Sequence, residues 1–409
     1  MDSNDPGALN PPVEHAVAAV PTARRTAGVQ GSLIREILKA TMRPGMISLA
    51  GGLPAPQSFP AEALRAAFDA VLGADAGRAL QYSTTEGHPP LRAWIAAQET
   101  ARGVPTDPEQ VLVVSGSQQA LDLIGKAMVD DGAPLLVESP TYLGALQAFA
   151  PFGPAFRALP ADDSSLQPLA IDADVARGAR LAYVMPNFQN PTGRTLDAAR
   201  RAQLAEAARR FDLWLVEDDP YGELWYREAP PPGLRRFAPE RTLRVGSFSK
   251  VLAPGLRLGY VVGPRGAVDL LARLKQATDL HTATLTQYAV VRVLEDGLLD
   301  AHLPRVRRLY STQAAAMLAA LRAHMPDGVR WTEPAGGMFV WLTLPARIDT
   351  LRLLDRAIEA GVAFVPGAPF YATDPRHHTL RLSFVTVPAA TIDRGVAILA
   401  ELIAGELTR

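Results

Sequence analysis

The sequence predicts an α/β fold, a mostly parallel sheet covered by helices, followed by a smaller α+β unit. Three observations predict it. Continuous apolar runs at 111–114, 181–185 and 213–216 alternate with helical patterns, the mark of βαβ units with strands covered on both faces. After Gly266 the rhythm turns mostly helical, and from Val329 short strands and helices mix. The length of 409 residues, 48% of them hydrophobic and 20% charged, gives room for about two or three domains.

Residues 1–30 open with Asp2 and Asp5 and carry Pro6, Pro11, Pro12 and Pro21. A signal peptide has a basic start and an apolar run, so this stretch reads as a flexible arm of a cytoplasmic protein. Leu33, Ile34, Ile37 and Leu38 have helical spacing, which Pro44 and Gly45 stop. An apolar run at 47–50 leads into Gly51 and Gly52. Beyond residue 60 come runs at 111–114, 134–137, 181–185, 213–216, 242–245 and 258–262. Helical patterns lie between them at 117–130, 142–149 and 196–210. Three helical stretches cover 267–325; strands at 329–331, 337–342, 363–365 and 380–384, with helices near 350–360 and 388–406, close the chain.

Several function classes drop out. Forty-one basic residues balance forty-two acidic ones, which argues against a nucleic-acid or anionic-membrane surface. The absence of cysteine removes disulfides, thiolate nucleophiles and cysteine metal sites. His377 and His378 read as a solvated turn, and no window approaches the roughly 18 apolar residues of a membrane span. No GxGxxG follows a strand, and no P-loop or GxSxG elbow is present. Only four of the basic residues are lysines: Lys39, Lys126, Lys250 and Lys275.

Ligands of α/β sheets bind at the C-terminal ends of the strands, so the residues just after each run carry the chemistry. Ser115-Gly116-Ser117-Gln118 leads into a helix and reads either as a plain N-cap or as a phosphate seat. Tyr142 starts another helix, as a core aromatic or as a plate for a flat ligand. Asn190-Pro191-Thr192-Gly193 is good turn chemistry, and Asn190 also offers an amide to a ligand oxygen. Glu217-Asp218-Asp219 and Tyr221 follow a buried strand, where three carboxylates are costly unless paired or set against a cation. Ser247, Ser249 and Lys250 follow the next run, with Arg257 seven residues on. Lys250 is the one lysine off a helical pattern; Lys39, Lys126 and Lys275 fall where solvated surface lysines are expected. A desolvated lysine is a competent amine nucleophile, and Ser249 and Arg257 are typical anion ligands.

These pieces describe a single ligand. It has a phosphate (Ser117, Gln118, Ser247, Ser249, Arg257), a flat ring (Tyr142), a ring oxygen (Asn190, Tyr221), a ring cation (Asp218) and an aldehyde (Lys250). That is pyridoxal 5'-phosphate, which takes a Schiff-base lysine and an acidic partner for its pyridinium nitrogen.

The chain from about Gly31 onward resembles the fold-type I aminotransferases, and within them the 2-aminoadipate and kynurenine aminotransferase subgroup. The matching text includes Ser48-Leu-Ala-Gly-Gly-Leu-Pro, Gln81-Tyr-Ser-Thr-Thr-Glu-Gly, Ser115-Gly-Ser-Gln-Gln-Ala-Leu, Asn187-Phe-Gln-Asn-Pro-Thr-Gly, Glu217-Asp-Asp-Pro-Tyr, Gly246-Ser-Phe-Ser-Lys and Thr379-Leu-Arg-Leu-Ser-Phe. The resemblance implies a seven-stranded, mostly parallel sheet in a large cofactor domain at 61–305. A small domain would comprise 306–409 and the segment 31–60, whose helix faces the substrate. It further implies that Arg381 and Gly52 meet the substrate α-carboxylate and that Arg35 meets a distal one. Tyr82 would reach the phosphate in a neighbouring subunit, making the enzyme a homodimer with shared sites. Lys250 would anchor the cofactor and then move the proton between Cα and C4', Asp218 would hold the pyridinium charge, and transamination would be ping-pong. The Ser139–Pro140 and Asn190–Pro191 bonds are expected to be cis. Two rivals remain: the same fold running elimination or decarboxylation, and a regulator domain that binds the cofactor, for which residues 1–30 are too few to hold a DNA-binding module.

Overall fold

The computed structural model describes residues 21–26, 31, 37, 45–163 and 165–408. Arg35 and nearly all of the helix expected around it lie outside the described residues, as does most of the expected arm. The chain begins with β1 (Ile47–Ser48), α1 (Ala61–Ala79) and α2 (Pro89–Ala101). Then β2 (Val111–Val114), α3 (Ser117–Met128), β3 (Pro134–Val137), α4 (Leu143–Phe149) and β4 (Ala155–Ala158) follow. Next come β5 (Leu181–Val184), α5 (Ala198–Arg210), β6 (Trp214–Asp218), β7 (Thr242–Ser247) and β8 (Gly259–Val262). Three helices, α6 (Arg265–Asp279), α7 (Thr284–Glu295) and α8 (Leu298–His324), precede the closing part. It holds β9 (Arg330–Trp331), β10 (Phe339–Thr343), α9 (Thr350–Glu359), β11 (Val362–Ala363), β12 (Val365–Pro366), β13 (Thr379–Ser383) and α10 (Ala389–Leu407).

The central sheet has seven strands in the order β2-β8-β7-β6-β5-β3-β4. Only β8 runs against its neighbours, pairing antiparallel with β2 and β7, so the sheet is mostly parallel as the apolar runs require. All four residues of β2 and of β5 are buried, the signature of strands covered on both faces. Strand β4 escaped the sequence reading for a physical reason. At the sheet edge it pairs only with β3, and its four residues are exposed or partly so, so no continuous apolar run marks it. Helix α5 begins at Ala198, two residues inside the expected pattern, because the Asp197 side chain accepts from the Arg200 N–H at 2.8 Å and caps it. Strand β7 runs on to Ser247 because Gly246 and Ser247 pair with Tyr260 and Gly259.

A second sheet, β12-β13-β10-β9, is antiparallel, and β1 pairs in parallel with β11 beside it. One buried apolar cluster joins the two sheets, running from Leu112, Val216 and Val245 through Tyr310 to Phe339, Leu382 and Leu399. Among the described residues no helix is long and apolar enough to cross a membrane. One expectation is corrected. Lys126 is exposed on α3, but Lys275, also expected on a solvated helix face, has a fully buried side chain against α3.

Candidate active site

The parallel strands deliver their C-terminal ends to a cavity of about 640 Å³. Ser117, Gln118, Tyr142, Asn190, Asp218, Tyr221, Ser247, Ser249, Lys250, Arg257, Gly52 and Arg381 all line it. Residues separated by more than 300 positions thus meet in one place. Of the residues singled out in the sequence and described in the structure, Tyr82 stands apart. It is 78% exposed and packs edge-on against His281 at 5.8 Å.

The three adjacent carboxylates divide by strand alternation, Asp218 towards the cavity and Glu217 and Asp219 towards Arg244 on the opposite face. Asp219 leaves the cavity, accepting from Arg244 Nη2 at 2.9 Å and from the Gly222 N–H at 2.9 Å. Burial raises its carboxyl, but Arg244 and Asn187 bring it below the ordinary value. Glu217, on the same face as Asp219, is fully buried and accepts from the Arg235 N–H at 3.2 Å. Asp218 alone lines the cavity. The Tyr183 hydroxyl donates to its Oδ2 at 2.7 Å, while its buried Oδ1 has no hydrogen-bond partner. Burial pushes its carboxyl up to about 7, only partly countered by Tyr183.

Lys250 follows β7, and its Nζ donates to the Gly52 carbonyl at 2.9 Å. Burial, with Arg381 and Arg257 nearby, lowers its ammonium to about 8. Arg381 comes from β13, in the middle of the second sheet, and is 1% exposed. Its Nη1 donates to Asn190 Oδ1 at 2.7 Å and its Nη2 to the Ala50 carbonyl at 2.8 Å, while Nε has no partner. The guanidinium lies between the rings of Phe339 and Phe370, 4.3 and 5.2 Å from their centroids. Burial lowers its pKa to about 10, so it remains charged at neutral pH. Asn190 also hydrogen-bonds Tyr221, whose phenol burial raises strongly.

The turn before α3 is built for close approach. Gly116 has φ +89°, and a Cβ there would stand 2.4 Å from Arg257 Nη2. Tyr142 lies against the backbone of Gly144, where a Cβ would come within 2.3 Å of its ring. The Ser249 N–H donates to Ser247 Oγ at 3.1 Å. Both bonds expected to be cis, Ser139–Pro140 and Asn190–Pro191, are cis.

Residues 46–399 match the family described as aminotransferase class I and II. The chain belongs to this aminotransferase family. The aminotransferase is 44% identical over 384 residues to a 2-aminoadipate transaminase of Thermus thermophilus, covering 93% of this chain and 95% of the relative. It is 42% identical over 390 residues to an aromatic-amino-acid aminotransferase of Thermococcus litoralis, covering 93% and 94%. Its fold superposes with a TM-score of 0.87 on the α-aminoadipate aminotransferase LysN of Thermus thermophilus, complexed with N-(5'-phosphopyridoxyl)-L-leucine. That structure is 42% identical and covers 95% of this chain and 98% of its own. The resemblance read from the motifs holds, and the aminotransferase is a fold-type I, pyridoxal-phosphate-dependent transaminase.

The residues of the aminotransferase fit that cofactor on their own evidence. Charged groups on the cavity wall are three cations, Lys250, Arg257 and Arg381, against one anion, Asp218. Such a wall suits a phosphate and a carboxylate together. The unpartnered Oδ1 of Asp218 is the place for a cation, as a pyridinium nitrogen would be. Sequence reasoning missed Tyr183, the Phe339–Phe370 pair and the Ala50 carbonyl. Tyr183 sits inside an apolar run, and the other three take part only through chain reversals that no local pattern marks.

Proposed function

We propose that the aminotransferase moves the amino group of an L-amino acid to 2-oxoglutarate or another 2-oxo acid, each bound in turn at the same cavity. The donors are 2-aminoadipate, glutamate, aromatic or branched-chain amino acids. The observation that carries this reading is the meeting of Lys250, Asp218 and Arg381 on one cavity wall. When bound, pyridoxal phosphate supplies an electron sink for the carbanion formed at the substrate Cα. Ser117, Gln118, Ser247, Ser249 and Arg257 would hold its phosphate, Tyr142 its ring face, Asn190 and Tyr221 its ring oxygen, and Asp218 its ring nitrogen. Lys250 anchors it and, once released, carries the proton to and from Cα as general base and acid. Burial, with Arg381 and Arg257, lowers its pKa to about 8 and so enlarges the share of free amine that can meet the cofactor. Arg381 and Gly52 receive the α-carboxylate, and the hydrogen bond to Asn190 ties that clasp to the ring-oxygen site.

A panel of amino donors against 2-oxoglutarate tests the reading. Oxo acid and new amino acid should appear in equal amounts. Release of ammonia or carbon dioxide in their place would move the chain to the elimination or decarboxylation reading. In the same panel Arg35→Gln should lower kcat/KM for 2-aminoadipate and glutamate by roughly 10- to 150-fold, and for leucine or aromatic donors by little. Equal losses would remove Arg35 from substrate choice.

The free amine is the attacking form of Lys250. Uptake of pyridoxal phosphate by the cofactor-free protein should therefore quicken about tenfold per pH unit up to about 8 and level off above it. Stopped-flow absorbance reads this directly, and a plateau delayed to the ordinary 10.5 would contradict it.

We also propose a homodimer of shared sites, supported by the exposed Tyr82 with Leu80 67% and Leu280 43% exposed. Sedimentation velocity should give a dimer, and a monomer in the cofactor-loaded enzyme rejects it. The cytoplasmic location and the division at residues 61 and 306 belong to the same reading, the latter supported by the pairing of β1 with β11.

A further inference from the structure

We propose that Lys275 is a positioning residue for the cofactor phosphate, acting through Gln119 and Asp279 on the turn at 115–117. It rests on the reading of that turn, with Arg257, as the phosphate seat. Lys275 does not line the cavity, and its side chain is fully buried between α6 and α3. Its Nζ donates to Asp279 Oδ1 at 2.5 Å and to Gln119 Oε1 at 3.2 Å. The same Oε1 accepts from the Ser115 backbone N–H at 2.8 Å. Gln119 Nε2 and Ser115 Oγ both donate to Asp279 Oδ2, at 2.7 and 3.0 Å. One ammonium and one carboxylate thereby fix Ser115 by backbone and side chain alike.

Ser115 passes the constraint on. Its carbonyl accepts from Arg257 Nη2 at 3.3 Å, and it precedes Gly116, whose φ of +89° favours glycine and lets the Arg257 guanidinium lie close. The network thus reaches both halves of the seat, the start of α3 and the Arg257 guanidinium. Burying an ammonium is costly unless it is paired, and an apolar side chain of similar length would fill the space. What a lysine adds is several donors on one atom, so that Gln119 and Asp279 are held at once. Pairing with Asp279 neutralises its charge locally, so its effect on a phosphate is one of geometry.

The test measures dissociation constants of pyridoxal phosphate, pyridoxal and inorganic phosphate for the cofactor-free protein. Lys275→Met should weaken pyridoxal phosphate and inorganic phosphate at least about tenfold and pyridoxal less than about twofold. The double variant with Gln119→Met should be no worse than Gln119→Met alone, since both act on one turn. Equal weakening of pyridoxal phosphate and pyridoxal, or none, overturns the proposal. Should Lys275→Met not fold, Gln119→Met decides, because it leaves the ion pair intact; unchanged phosphate affinity in it also overturns the proposal. Arg257→Gln separates the two levels. If it leaves phosphate binding unchanged, the seat reading fails; if it alone weakens binding, only the role of Lys275 fails.

Discussion

Lys250→Ala is expected to lower turnover at least about 10⁴-fold, since general acid–base transfer alone contributes roughly 10²–10⁴ and the covalent anchor is lost with it. The warrant is local. Lys250 Nζ lies against the Gly52 carbonyl at the end of β7, in the cavity that also holds Asp218 and Arg381. Lys126 is salt-bridged to Asp122 on the surface of α3, and Lys275 is turned into the protein. Borohydride reduction of the loaded enzyme followed by peptide mass spectrometry should find the cofactor mass on Lys250. The variant should keep its fold, because the side chain contributes one hydrogen bond and no ion pair to a structure braced elsewhere. A label on Lys39, Lys126 or Lys275 would overturn the assignment.

The second large effect is expected at Asp218. Asp218→Asn should leave the cofactor bound but slow proton removal from the donor by roughly 100- to 4,000-fold. That range corresponds to about 3–5 kcal/mol for breaking a buried charge pair at 1.4 kcal/mol per decade. A neutral amide cannot hold the pyridinium charge. Asp219→Asn should do something different. It loses a charged hydrogen bond to Arg244, worth about 1.5–3 kcal/mol, and should shift the denaturation midpoint while proton removal stays near normal. Single-turnover kinetics with α-deuterated donor, set beside urea unfolding of both variants, separates the two. If the kinetic loss falls on Asp219→Asn, Asp219 and not Asp218 is the partner of the ring.

Much of the cavity wall was legible because Ser117, Tyr142, Asn190, Asp218 and Lys250 follow apolar runs, and strand ends of α/β sheets are where ligands bind, whereas Arg381 and Gly52 came only from the family resemblance. Lys250 announced itself by lying off any helical period. The same criterion misjudged Lys275. Helical spacing tells which residues share a face, but not whether a second helix covers it, and α3 does. Strand β4 was invisible because an edge strand needs no unbroken apolar run. Tyr183 read as one more core residue inside β5, and only the register of β5 on β6, which sets Tyr183 beside Val216 and so near Asp218, reveals its hydroxyl as a partner. The division of labour among Glu217, Asp218 and Asp219 was equally hidden. Alternation along a strand separates neighbours onto opposite faces, but the partners come from elsewhere in the chain, Arg244 from the neighbouring strand β7 and Arg235 from the short helix before it.

Arg381 stands on the antiparallel sheet, whereas Asp218 ends β6 and Lys250 follows β7 of the mostly parallel one, and the link of Arg381 to Asn190 bridges the two. On the proposed roles, the grip on the cofactor and the grip on the substrate thus rest on different sheets. Substitutions around Phe339, Phe370 and β13 should therefore shift KM for all donors together without retuning the ring chemistry. The hold on the carboxylate can thus be loosened or tightened in small steps while the reagent behind it stays intact.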